Sequence, residues 1–407
     1  MADSIAPEAF RGSLETYGTR QALAGFFISG LLLSFTGAIL PAWGHHLTAS
    51  YDTVGMYFLM LNAGILGSLR LAQWMLPKKG AAFVLSLASA IACGSILALA
   101  AASPPVTPAW RMPGLLGMGA AAGLMHSAMF EAISPVYEQD RLATMNLAGM
   151  LFGGGSLAMV LLVAGTFYVY TVPSILMLVA VIPGLFAGAY ARMKYPLRAL
   201  PQQLSILEGF RQFRSLTTVL LALLLFFQFG NEWAIAGWLP LYLVQRLGIS
   251  PARSLHMLAL YWVALLAGRI VAQSMLPRVS HVRLLFASAA LAVFGALVLE
   301  FTDNAFGAVT GILMLGTAYA PIYPLVVEKI RNRFPGYHPG FFNGIFSFAF
   351  TGALLAPCSL GLFAEWWGIG VVMALPACGT LMVLLLVLAI SVEARFADQG
   401  TRSVASP

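Results

Sequence analysis

Residues 72–78 read Ala-Gln-Trp-Met-Leu-Pro-Lys and residues 272–278 read Ala-Gln-Ser-Met-Leu-Pro-Arg. Five positions are identical, one basic residue replaces another, and the offset is 200 residues. Each copy closes an apolar run long enough to cross roughly 30 Å of hydrocarbon. A repeat at about half the chain length predicts a duplicated architecture, and further echoes support it. Phe26-Phe27-x-x-Gly30 returns as Phe226-Phe227-x-x-Gly230, and Leu40-Pro41 as Leu239-Pro240. Pro135 precedes Glu138-x-x-Arg141 as Pro324 precedes Glu328-x-x-Arg331, and Asn146 stands nine residues before Gly155 as Asn343 does before Gly352. These echoes keep the same order along the chain.

The chain of 407 residues is 60% hydrophobic and 9% charged, with a mean hydropathy of +0.86. An ordinary soluble domain is about 25% charged, so a soluble enzyme is excluded and most of the surface must face lipid. Apolar runs at 22–44, 53–76, 81–101, 113–135, 142–165, 170–192, 216–245, 254–276, 282–302, 305–328, 340–363 and 367–391 give twelve spans. Every echo then joins span n to span n+6. The predicted fold is an all-α polytopic membrane protein, with twelve transmembrane helices in two pseudo-symmetric six-helix bundles. The bundles are 1–192 and 216–407, joined by a basic cytoplasmic linker at 193–215. A parallel repeat of this kind places a solute site near mid-membrane, where the halves meet.

The formal net charge of +7 is unevenly distributed. Lys and Arg collect in alternate inter-span segments and in the two tails, which puts both termini in the cytoplasm. Nucleic acid is therefore not an expected partner; the lipid bilayer is. Met1 to Thr19 has no apolar run, so span 1 is expected to be its own insertion signal. Cys93, Cys358 and Cys378 lie within spans and lack zinc-ligand spacing, and neither a metal nor a cofactor is expected.

These features resemble the major facilitator superfamily over essentially the whole length. The twelve spans, the basic turns after spans 2 and 8 and the paired E-x-x-R segments carry the resemblance. Within it, the chain looks most like the fucose permease branch of sugar–proton symporters. The points of likeness are Glu131, Asn231-Glu232 to Trp238-Leu239-Pro240, Gly268-Arg269, Ala320-Pro321-Ile322-Tyr323-Pro324, and Asn343 to Gly352 with Pro357. The sequence departs from the pattern in two places. Gly67 to Gly80 keeps Pro77-Lys78-Lys79 without the usual acid, and span 1 holds no charged residue. Coupling through a span 1 carboxylate is thereby excluded.

Ionisable groups inside spans are costly and mark function by default. Glu131 has Ser127 and Ser134 on its helix face, and its carboxyl group is a candidate to take up and release a proton as access alternates. The other reading is a helix-end ion pair with Arg70 or Arg141. Glu232 has Gln228 at i−4 and Asn231 beside it, which suits proton coupling, sugar hydroxyls, or a lock between helices. His126 is a candidate proton relay or a packing histidine. Trp238 offers a face for stacking. Tyr319 and Tyr323 flank Pro321 as an i, i+4 pair whose hydroxyls near a kink suit sugar contact, gating or packing, while Asn343, Ser347 and Asn146 sit on small, polar helix faces that serve either binding or packing. Arg70 and Arg269, with Glu138, Arg141, Glu328 and Arg331, form a candidate cytoplasmic gate.

The function expected is secondary active transport of a small polar solute, a monosaccharide, by alternating access with proton coupling. One chain already contains both halves, so a monomer is expected, in the cell (inner) membrane. The alternatives are an exporter of amphipathic compounds or drugs, favoured by 27 Phe, 13 Tyr and 8 Trp, and a sugar uniporter without coupling. No H-E-x-x-H, G-x-S-x-G or Gly-rich Lys-Ser/Thr loop occurs, so neither an enzyme nor ATP-driven pumping is expected.

Overall fold

The computed structural model describes the backbone of residues 8–45, 47, 50–139, 141–193, 216–333 and 339–404, and the side chains of 22–45, 47, 50–133, 144, 146–193, 216–330 and 348–393. These residues form eleven long helices: α1 (Glu8–Ile39), α2 (Tyr51–Ala101), α3 (Arg111–Gln139), α4 (Arg141–Thr166), α5 (Val172–Ala191), α6 (Leu216–Leu247), α7 (Pro251–Met275), α8 (His281–Phe301), α9 (Ala305–Arg333), α10 (Pro339–Trp367) and α11 (Val371–Val404). Among the described residues, every helix except α3 is long and apolar enough to cross a membrane.

The 51 residues of α2 would extend about 75 Å as one rod, over twice the hydrocarbon thickness. The helix is broken at Gly80, where φ is 79° and ψ is 165°, a backbone conformation that only glycine adopts at low cost. The expected spans 2 and 3 are therefore the two limbs of α2, turning at Pro77-Lys78-Lys79-Gly80. With α2 crossing twice and α3 included, the described helices supply twelve crossings. The Leu-Pro echo diverges in structure. Leu40-Pro41 lies just past the end of α1, whereas Leu239-Pro240 lies inside α6.

The chain divides into two compact units, Met1–Gly44 with Met56–Pro201, and His45–Gly55 with Gln202–Pro407. Most of the expected 193–215 linker lies outside the described residues. In the first unit α1 packs closely on α4 and α3. A Cβ on Gly30 would overlap the Phe152 carbonyl oxygen, and one on Gly155 would overlap that of Phe27. Serine hydroxyls seal this crossing: Ser34 and Ser156 both donate to Gly30 O, at 2.9 and 3.1 Å.

The second unit repeats the device. Its tightest pair is α6 on α10; a Cβ on Gly352 would overlap the Phe226 carbonyl, and Gly230 faces the Gly352 backbone. Backbones approach this closely only where side chains are absent. The Phe-Phe-x-x-Gly and Gly155/Gly352 echoes are thus the two sides of one helix crossing, built once in each unit.

At its end, the second unit holds the segment 45–55. Tyr51 OH donates to Gln245 Oε1 at 2.9 Å, its backbone N–H donates to Glu365 Oε2 at 3.0 Å, and Gly55 lies against Gly361. In the first unit, Arg111 at the start of α3 is 3% exposed and fully engaged. It donates to Ala102 O, Tyr57 OH and Val106 O at 3.1, 3.1 and 3.3 Å, and it lies over the Trp43 ring.

Candidate functional site

The polar residues of α6 separate onto two faces. Asn231 turns toward α11, where Gly379 leaves room for its amide, and donates from Nδ2 to Thr380 Oγ1 at 3.4 Å. The Thr380 hydroxyl is within 2.7 Å of Pro376 O, one turn back on α11, and gives its proton there. It therefore accepts from Tyr319 of α9, whose hydroxyl is 2.6 Å away. Asn231, Thr380 and Tyr319 thus form one buried hydrogen-bond chain through three helices. The Asn231 amide and the Tyr319 hydroxyl serve in interhelical hydrogen bonds in this structure.

Gln228 and Glu232, one turn apart on α6, face α7 and α9. Gln228 is fully buried, and neither atom of its amide has a hydrogen-bond partner. The amide approaches the Glu232 carboxylate without reaching hydrogen-bond geometry. Arg269 of α7 is the charge that acts on Glu232, and it is itself flanked by Tyr261 and Tyr323. No ion pair within 4.0 Å joins Glu232 and Arg269, and Arg269 Nε is buried without a partner. Tyr261, two turns before Arg269, is fully buried with its hydroxyl unpartnered, and packs edge-on to Trp262 at 5.5 Å. Tyr323 lies tilted on Phe229 at 5.3 Å. Buried polar atoms in proteins are nearly always hydrogen-bonded, so the unsatisfied atoms of Gln228, Tyr261 and Arg269, gathered about Glu232, single this cluster out.

Other expected residues are placed differently. Trp238 is fully buried and its indole N–H donates to Pro357 O at 2.8 Å, so its ring lies in the packing between α6 and α10. Arg269 belongs to the Glu232 cluster rather than to a pair with Glu328, whose Oε2 lies 3.1 Å from His281 Nε2. Glu232 is the carboxylate that acts on Arg269. Arg70 is exposed on α2. The side chains of Glu138, Arg141, Arg331, Asn343 and Ser347 lie outside the described residues.

In the first unit, Glu131 is half-buried on α3, with Oε2 buried and lacking a hydrogen-bond partner. Ser127 donates back to Gly123 O at 3.1 Å and does not reach for it. His126 packs edge-on to Phe130 at 4.8 Å, and Phe130 does the same to Phe26 of α1 at 5.7 Å. Asn146 is half-buried on α4.

Sequence reasoning missed Tyr261 and Thr380. Tyr261 carried a weak signal, since it stands eight residues before Arg269, two turns back and about 80° around the helix. Thr380 carried none, because a threonine in a span most often satisfies its own helix, as this one also does through Pro376 O.

Comparison with known proteins agrees with this architecture. An uncharacterised MFS-type transporter of Yersinia pestis is 22% identical over 379 residues, which is 91% of this chain and 93% of the relative. A mutant of the nucleoside transporter NupG superposes with a TM-score of 0.71 at 12% identity, covering 92% of this chain and 99% of the other. FucP, described as a transporter of the Major Facilitator Superfamily in the outward conformation, gives 0.61 at 15% identity over 91% and 98%. A variant of the E. coli fucose:proton symporter FucP gives 0.59 at 15% over 93% and 99%. At these identities the structures share the fold alone. The model of the Major Facilitator Superfamily itself matches residues 23–357, most of the chain, and with twelve crossings built around a repeated helix crossing the protein belongs to that superfamily of multi-pass membrane transporters.

Proposed function

We propose that the chain is a secondary active transporter of a small polar solute of monosaccharide size, working by alternating access with proton coupling. The observation that carries this reading is the group of unsatisfied buried polar atoms on Gln228, Tyr261 and Arg269 around Glu232. An amide, a phenol and a guanidinium exchange hydrogen bonds with a hydroxylated solute, and such groups are an expensive lining for an exporter of apolar compounds. Likeness in fold to a fucose:proton symporter and to a nucleoside transporter supports a polar cargo.

One proton is carried per cycle in this reading, on Glu232 or Glu131. Each is half-buried within the membrane-spanning part of the chain and has no ion pair within 4.0 Å among the described residues. A carboxyl group there is tolerated either neutral or with a countercharge, so its protonation state biases which conformation is favoured. The bundles 1–192 and 216–407 are the two moving parts, with both termini in the cytoplasm and the protein a monomer in the cell (inner) membrane. The remaining basic residues of the gate, Arg70 first, act at the cytoplasmic ends.

Uptake of labelled hexoses, pentoses and their oxidised and deoxy forms into proteoliposomes, with and without an inward proton gradient, tests the proposal. Gradient-driven accumulation of one such solute is the expected result. Movement that ignores the gradient would remove proton coupling, and absence of movement across the whole panel would remove the reading.

A further inference from the structure

The cluster in the second unit has an electrostatic peculiarity. A guanidinium within a membrane span needs a countercharge, and Glu232 is the one that acts on Arg269. Yet the two make no ion pair within 4.0 Å, and Arg269 Nε has no partner at all. Gln228 and Tyr261, both fully buried, leave three more polar atoms unsatisfied beside it.

Arg269 presents a planar fork of N–H donors, Gln228 adds two donors and an acceptor, and Tyr261 adds one hydroxyl. Donors exceed acceptors, and the set carries a positive charge. A neutral hydroxylated solute satisfies the amide and the phenol but leaves the guanidinium charge as it was. A carboxylate matches the fork in charge and in shape, because the paired N–H bonds of a guanidinium fit its two oxygens.

Resting on the transport reading above, we propose that Gln228, Tyr261 and Arg269 bind a sugar acid, a hydroxylated monocarboxylate of monosaccharide size, whose carboxylate takes the Arg269 fork while its hydroxyls meet Gln228 and Tyr261. Glu232 and the solute carboxylate then compete for one guanidinium. The groups facing Glu232 are Gln228 on its own helix, Arg269 and Tyr261 from α7 and Tyr319 from α9. Among the described residues, α10 and α11 bring no second cation to it. One cation cannot balance two carboxylates, so the anion enters when Glu232 carries a proton. The proton and the anion cross together, and the transported pair has no net charge.

The test uses the full-length protein in proteoliposomes, offered labelled gluconate or glucose under an inward proton gradient, at zero and at inside-negative membrane potential. Gluconate is expected to accumulate to the same level at both potentials, with glucose left behind. Arg269→Gln should lower gluconate accumulation by about tenfold or more, the scale of a lost charge-assisted hydrogen bond. If that variant cannot be recovered as a monodisperse protein, potential independence in the wild type decides, since a neutral solute moving with a proton carries charge. Accumulation of glucose but not gluconate, or gluconate uptake increased by an inside-negative potential, would overturn this inference and leave the transport reading standing. Failure of gluconate, glucose and the whole hexose and pentose panel to move would overturn both.

Discussion

The hydroxyl of Tyr319 lies 2.6 Å from Oγ1 of Thr380, and Thr380 also receives the Asn231 amide. Because the Thr380 proton is committed to Pro376 O, this one oxygen collects donors from two other helices. A buried hydrogen bond of this kind contributes about 1 kcal/mol net. Tyr319→Phe and Thr380→Val should each destabilise the protein on that scale. The double variant should cost clearly less than their sum, because both remove the same bond. Denaturation of the four proteins in detergent checks this; strict additivity would show that the two residues act independently.

The glycine crossing gives a second prediction. Gly155→Ala places a methyl group on the Phe27 carbonyl, and Gly352→Ala places one on that of Phe226. Each should destabilise by about 1–3 kcal/mol, the usual range for overpacking. Gly154→Ala, one residue away with nothing within 4 Å of the new carbon, should be neutral or slightly stabilising through better helix propensity. Equal effects at Gly154 and Gly155 would mean that the crossing is not what constrains these positions.

Trp238 separates packing from binding. Trp238→Phe keeps an aromatic ring and removes the N–H that Pro357 O accepts at 2.8 Å. Stability should fall by about 1 kcal/mol or somewhat more, with the solute concentration for half-maximal uptake unchanged. A large loss of affinity at unchanged stability would return Trp238 to the binding face.

The fold was largely legible because membrane burial leaves a strong one-dimensional signal. Apolar runs such as 282–302 correspond closely to helices such as His281–Phe301, and the echoes at Gly30/Gly230 and Gly155/Gly352 mark one repeated crossing. The site was legible only in part. Glu232, Gln228 and Arg269 stood out because polar groups in spans are costly, but the sequence could not assign faces at the resolution that matters. Asn231 is one residue from Glu232, about 100° around the helix, and that rotation sends it to α11 instead of α7. Arg269 suits a cytoplasmic gate on sequence alone because a long side chain can reach either way, and only the position of Glu232 on a neighbouring helix decides between them.

Protonation of Glu232 or Glu131 is what couples proton flow to solute movement in this mechanism. The direct test compares Glu232→Gln and Glu131→Gln with the wild type in two assays on the same proteoliposomes, solute exchange at equilibrium and accumulation driven by an inward proton gradient. Glutamine mimics a permanently neutral carboxyl group, so exchange should persist in both variants while gradient-driven accumulation is lost in the one whose carboxyl group carries the proton. Undiminished accumulation in both would contradict the account.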